Sequence, residues 1–227
     1  MGSRVTDYGL RITSALLRLG FRLLYNELAW TYDWVARITS VGQWRSWQRA
    51  ALPEIYGGRV LEVGHGTGDT LLDLLALGRA PVGLDLSPYM GRLAGRKLLR
   101  RGLRCPLVRG SVTALPFAPA SYHTLLSAFP TEFIFDPQAA AEFYRVLQPG
   151  GRLVAVPFAE ITGTSPGDRL GRWLFRVTHQ AASGLQDEWL QPYQQAGFRA
   201  SLKSVSLPRG VVYLIIADKP AGPFHGL

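Results

Sequence analysis

The segment Arg59-Val60-Leu61-Glu62-Val63-Gly64-His65-Gly66-Thr67-Gly68 constrains this chain more than any other. An apolar run of strand length passes straight into glycines at alternate positions, and a helical pattern begins near Asp69. Glycine is needed at such a turn because the backbone takes positive φ and because a ligand must approach bare main chain. Dinucleotide-binding turns use a Gly-x-Gly-x-x-Gly spacing. Here the spacing is Gly-x-Gly-x-Gly behind an acidic strand residue, Glu62.

Beyond the loop, strand-like and helix-like segments alternate. Strands are expected at 59–64, 80–85, 105–109, 122–128 and 151–158, with helices near 68–78, 88–102 and 137–148 between them. A Gly-, Ser- and Arg-rich stretch follows over 162–184, then a helix near 186–196 and two apolar strands, 198–206 and 210–218. The short joint Pro208-Arg209-Gly210 makes the last two strands antiparallel. The expected fold is therefore α/β: a Rossmann-like, seven-stranded, mostly parallel sheet with an antiparallel last strand, helices on both faces and an N-terminal helical extension. Asp85 closes the second strand, seventeen residues beyond Gly68. A carboxylate there can accept both hydrogen bonds of a ribose diol. Its alternative duty is to cap the helix that starts at Ser87-Pro88.

Two further motifs lie in order along the chain, Leu115-Pro116-Phe117 before the fourth strand and Arg145-Val146-Leu147-Gln148-Pro149-Gly150-Gly151-Arg152-Leu153 leading into the fifth. With these, residues 25–218 resemble the class I S-adenosylmethionine-dependent methyltransferases. The resemblance implies S-adenosylmethionine as cofactor. The loop residues Glu62, Gly64, His65, Gly66 and Gly68 would face its methionine part, Asp85 its ribose, and Ser111 and Val112 its adenine, with Leu86 and Ala128 completing the set. Where the family usually carries an acid this chain has Ser111, whose hydroxyl can still hydrogen-bond the adenine amine. His123 stands where an Asp is common, but it precedes the functional end of its strand and reads as structural.

The bulk properties narrow the setting. A single cysteine, Cys105, excludes an internal disulfide framework and a Cys-rich zinc site, and four scattered histidines argue against any metal centre. A reducing cytoplasm fits best. No apolar run reaches the roughly 18 residues of a membrane span, and the N-terminus lacks the pattern of a signal peptide. The net charge of +9 is concentrated in residues 1–110, which admits either an anionic membrane surface or nucleic acid as partner. Over Val5–Leu24 the arginines Arg11, Arg18 and Arg22 form a stripe on a broadly apolar helix. Such a helix can lie peripherally in a bilayer interface or pack on its own domain as a lid. The expected division is 1–56 as a helical lid or membrane-facing segment and 57–227 as the methyltransferase domain.

The acceptor is addressed by a narrower resemblance. Tyr32-Asp33, Ser40-Val41-Gly42, Trp44-Arg45 and Trp47, together with Gly66-Thr67-Gly68-Asp69, are similar to the ubiquinone and menaquinone C-methyltransferases, and bacterial phospholipid N-methyltransferases carry related segments. Both groups imply a hydrophobic small molecule, quinone-precursor-like or lipid, handled at a membrane surface. After the fourth strand the pattern departs, with Ala128-Phe129-Pro130-Thr131-Glu132-Phe133 in place of the quinone enzymes' Phe-Gly and Arg-Asn. Methyl transfer needs alignment more than acid or base chemistry. Tyr32 is the candidate pocket residue, and Glu132, His179 and Glu160 are candidate bases. Two other readings stand beside this one. A nucleic-acid methyltransferase fits the charge, but the chain lacks the Asn/Asp-Pro-Pro-aromatic motif of base-modifying enzymes. A non-catalytic S-adenosylmethionine-binding module would keep the loop without the chemistry.

Overall fold

The computed structural model describes residues 40–178 and 186–222, and the side chains of 173–178 and 186–187 are not described. Tyr32, His179 and the Arg11, Arg18, Arg22 stripe lie outside these residues. Seven strands form one sheet: β1 (Arg59–Val63), β2 (Ala80–Asp85), β3 (Leu107–Arg109), β4 (Tyr122–Ala128), β5 (Leu147–Ile161), β6 (Arg199–Leu207) and β7 (Gly210–Asp218), in the order β3-β2-β1-β4-β5-β7-β6. β1 to β5 run parallel, and β7 pairs antiparallel with β5 on one side and β6 on the other. The strand order reverses direction between β1 and β4, and in open α/β sheets ligands bind beyond the strand ends at that point.

Six helices accompany the strands among the described residues: α1 (Trp44–Arg49), α2 (Asp69–Ala76), α3 (Pro88–Leu99), α4 (Pro137–Val146), α5 (Pro166–Thr178) and α6 (Gln186–Gln195). Strand periodicity divides the core. Leu61, Leu125, Leu153, Ala155 and Ile215 point to one face, where Phe143 of α4 and Tyr193 of α6 cover them. Val60, Leu126, Val154, Val156 and Val212 point to the other, against Leu74 of α2 and Trp47 of α1. The central strands thus bury both faces, as parallel sheets covered by helices do, while the edge strands β3 and β6 hold no fully buried residue. The segment from Ser40 to Ile55 is seated on this second core, with Trp47 fully buried, and Arg45 and Arg49 of α1 both pair with Asp73 of α2 at 2.7 and 3.0 Å.

Two elements differ most from the expectation. β5 is longer at both ends, because Tyr122 pairs with Leu147 across a register shift and Phe158 to Ile161 continue the ladder against Tyr213 to Gly210. Residues 166–178 form a helix inside the Gly-, Ser- and Arg-rich stretch. It starts from a reciprocal cap: Ser165 N–H donates to Asp168 Oδ2 at 3.1 Å while Asp168 N–H donates to Ser165 Oγ at 3.2 Å. His123 sits at the N-terminal end of β4, its Nδ1 accepting from the Arg59 amide at 3.3 Å, at the opposite end of the sheet from the C-terminal ends of the parallel strands. Among the described residues no helix is long and apolar enough to cross a membrane, and no cluster of side chains could hold a metal ion.

Candidate active site

The C-terminal ends of β1, β2 and β4 open on one cleft of about 540 Å³, within the range of small-molecule sites. Its floor is the glycine loop. Gly64, Gly66 and Gly68 have φ of +67°, +52° and +80°, a region other residues enter only at a cost. A side chain at Gly66 would meet nothing within 4 Å, so the backbone there lies bare to the cleft. Gly68 does a different job: it is the N-cap of α2, and a Cβ on it would fall 2.8 Å from Cβ of Ala94 in α3. It therefore lets two helices approach, and it is the one loop glycine that does not line the cleft.

Asp85 ties the loop to the second strand. Its Oδ2 accepts from the Gly66 amide at 2.9 Å and its Oδ1 from the Ser87 amide at 2.8 Å. The carboxylate is held in one orientation, and each oxygen keeps a further lone pair for a diol. The capping duty of Ser87 falls to its own hydroxyl, which accepts from the Met90 amide. Leu86, Ser111 and Val112 line the cleft beside Asp85. Ser111 Oγ lies 2.8 Å from Thr113 Oγ1, so a hydroxyl pair stands where the family has an acid.

Glu62 is buried at 2% exposure, and its Oε2 has no hydrogen-bond partner although it lines the cleft. Burial drives its pKa well above the ordinary carboxylate range. A buried carboxyl oxygen with an open lone pair fits a cationic group of a ligand. His65, also buried, has Nδ1 2.8 Å from the Gly66 carbonyl, which can only accept, so Nδ1 carries the proton. Burial lowers its pKa and keeps the ring neutral.

The sign of the Glu62 shift gives a first test. A carboxyl whose folded pKa lies above its unfolded value contributes stability at low pH and loses it as pH rises through the folded pKa. Glu62→Gln should therefore raise the melting temperature of the ligand-free protein at pH 8 and leave it unchanged near pH 4. The same variant should weaken S-adenosylhomocysteine binding at least about tenfold, since a hydrogen bond to a charged group is worth about 1.5–3 kcal/mol. Calorimetric titration and thermal melts across pH read both effects.

The other end of the cleft is aromatic. Phe129, directly after Ala128 at the end of β4, has φ of +53°, a conformation that costs a non-glycine residue about 1–3 kcal/mol and clusters at functional sites. Its amide donates to Val156 O at 2.9 Å, and its ring stacks on Trp44 with centroids 4.2 Å apart and planes inclined by 26°. Phe133 and Gln48 complete this wall. The cleft also takes in Thr67 and Asp69, both within the Gly66-Thr67-Gly68-Asp69 motif, and Arg109, which the sequence did not single out. Lys97 Nζ anchors two of these, donating to Thr67 Oγ1 at 3.0 Å and lying 3.2 Å from Asp69 Oδ2. Glu132 opens the short 3₁₀ turn Glu132–Phe135 but is exposed and outside the cleft, although its neighbours Thr131 and Phe133 line it. Glu160 is exposed on β5, also outside it.

Comparison with known proteins agrees with this geometry. Residues 60–151 match a family model described as a methyltransferase domain. The ubiquinone/menaquinone biosynthesis C-methyltransferase of Syntrophotalea carbinolica is 39% identical over 147 residues, which is 62% of this chain and 62% of that one. A demethylmenaquinone methyltransferase of Clavibacter sepedonicus is 29% identical over 223 residues, 88% of this chain and 90% of that one. The first of these alignments spans less than two thirds of the relative's length. In fold, the chain is similar to the phosphoethanolamine N-methyltransferase 2 of Haemonchus contortus, solved with phosphomonomethylethanolamine and S-adenosylhomocysteine. That likeness has a TM-score of 0.59 at 16% identity, over 79% of this chain and 53% of that one. A glycine loop oriented by Asp85, the match over 60–151 and the sheet order together show the class I methyltransferase fold, with residues 60–151 similar to a methyltransferase domain and the chain similar to the quinone-biosynthesis C-methyltransferases.

Proposed function

We propose that the protein is an S-adenosylmethionine-dependent methyltransferase acting on a hydrophobic small molecule of quinone-precursor or lipid type, in the cytoplasm and at the membrane surface. The observation that carries the acceptor reading is the Trp44–Phe129 stack, which faces the same cleft as Asp85 and the bare Gly66 backbone. Aromatic rings presented to a cleft favour a flat apolar partner, and a stacked pair contributes about 0.5–1.5 kcal/mol beyond its buried area. The names of the quinone C-methyltransferase relatives support the same class.

The bound sulfonium supplies an electrophilic methyl group, so the chain's own residues have to orient the two reactants and keep water out. Asp85 would hold the ribose, Glu62 would take the ammonium of the methionine part, and Ser111 and Val112 would flank the adenine. Trp44, Phe129 and Phe133 would wall the acceptor. Neither Glu132 nor Glu160 reaches the cleft. Tyr32 and His179 stay as proposals for the pocket wall and the base.

The test is transfer of a labelled methyl group to a naphthoquinol and to an ethanolamine phospholipid, with the product identified by mass. Trp44→Ala should raise KM for the acceptor about tenfold, an effect of removing one large apolar contact, while the affinity for S-adenosylhomocysteine changes less than about threefold. Transfer to neither acceptor by a protein that binds the cofactor would leave a binding module in place of an enzyme.

A further inference from the structure

The distribution of charge points to a second surface. From Leu86 to Thr131 the sequence holds seven basic residues and no acidic one. Lys97 is engaged with Asp69, and Arg109 Nε donates to Leu86 O at 3.2 Å beside the cleft. The rest project outward. On α3, Met90, Ala94 and Leu98 are buried, while Tyr89, Arg92, Arg96, Leu99 and the C-cap Arg100 are exposed at spacings of three and four, one continuous helical stripe. The chain then folds back over the helix end, with the Leu103 amide donating to Leu98 O at 3.0 Å, and presents Arg101, Leu103 and Arg104 on the same outer end. None of Arg92, Arg96, Arg100, Arg101 and Arg104 is ion-paired among the described residues.

A helix C-terminus favours cations in its last turn, which accounts for Arg100 and Arg101. It does not account for Arg92, near the start of α3, nor for the leucines. Leu99 is 65% exposed and Leu86, immediately before the helix and on the lip of the cleft, 66%. Arg92 lies over the Tyr89 ring at 4.4 Å, an aromatic and a cation side by side as at a headgroup boundary. Phosphate-tracking on nucleic acid calls for the arginines but has no use for exposed leucines among them. An anionic bilayer uses both: cations at the headgroups and apolar side chains below them.

We infer that the outer stripe of α3, with the turn 100–104, docks the protein on an anionic phospholipid surface and brings the Leu86 lip of the cleft to the lipid phase. This rests on the lipophilic-acceptor reading for its purpose but not for its test.

The experiment is co-sedimentation of the full chain with vesicles of phosphatidylcholine alone and with phosphatidylglycerol added. It is run in the natural sequence and in an Arg11→Gln, Arg18→Gln, Arg22→Gln background, so that any contribution of the N-terminal stripe is separated. Arg92→Gln, Arg96→Gln, Arg100→Gln should lower partitioning onto the anionic vesicles at least about tenfold in both backgrounds, since each basic residue near such a surface contributes on the order of fivefold. Leu99→Ser, Leu103→Ser should lower it several-fold, and neither set should change S-adenosylhomocysteine affinity. Partitioning that ignores the α3 substitutions in both backgrounds overturns the inference. So does a face that needs the arginines but not the leucines and binds duplex RNA more tightly than vesicles. Docking that depends on α3 without methyl transfer to either acceptor would count against the acceptor reading alone, and transfer without docking against this inference alone.

Discussion

Asp85→Ala should weaken S-adenosylhomocysteine binding at least about 100-fold and abolish detectable methyl transfer. Two losses combine. The carboxylate orients the glycine loop by accepting from the Gly66 and Ser87 amides at 2.9 and 2.8 Å, and it offers its remaining lone pairs to a ribose diol. Hydrogen bonds to a charged group are worth about 1.5–3 kcal/mol each, and about 3 kcal/mol corresponds to a factor of roughly 100. Asp85→Asn should fall between, because the amide has one oxygen to accept with where the carboxylate has two. Calorimetric titration measures the affinities. Retention of affinity within about threefold in Asp85→Ala would mean that the ligand does not sit on this carboxylate.

Trp47→Ala should be the most destabilising single change within residues 40–56, at about 3–5 kcal/mol, the usual cost of truncating a fully buried large aromatic. For a chain of this size that is a fall in melting temperature of roughly 10 °C. Trp47 has no exposed surface and packs with Val156, Ala159, Val212 and Leu214 of β5 and β7. Its ring also lies 6.0 Å from that of Phe129. It therefore couples two levels: the seating of α1 on the sheet, and the placement of Trp44, one turn earlier, against Phe129 in the cleft. Acceptor KM should rise with the loss of stability, even at temperatures where the variant stays folded. A variant with unchanged melting temperature would show that α1 is not held by this contact.

The parts of the site legible in the sequence are those dictated by backbone chemistry. Gly64 and Gly66 could be read because positive φ and close approach leave few alternatives to glycine, and Asp85 because a strand end has a fixed distance from such a loop. Strands were legible where both faces are apolar, as in Val60–Val63 and Leu153–Val156. What escaped was assembled by tertiary contact. Phe129 combines a left-handed backbone with a ring packed on Trp44, far earlier in the chain. Arg109 lines the cleft because it ends β3, which the sheet order places beside β2. The helix α5 was hidden by its Gly, Ser and Arg content, yet its signal was present: Ser165-Pro166-Gly167-Asp168 is a capping box with proline at the first helical position. The difference between Gly66 and Gly68, one bare to the cleft and one against Ala94, is invisible in a motif that writes both as the same letter.

On the proposed reading, this cleft transfers a methyl group to a lipophilic acceptor. The most direct measurement incubates the purified protein and its Asp85→Ala variant with S-[methyl-³H]adenosylmethionine and a bacterial lipid extract. Label should enter the organic phase, in proportion to the natural protein and not to the variant. Label confined to the aqueous phase, or organic label that survives Asp85→Ala, would contradict it.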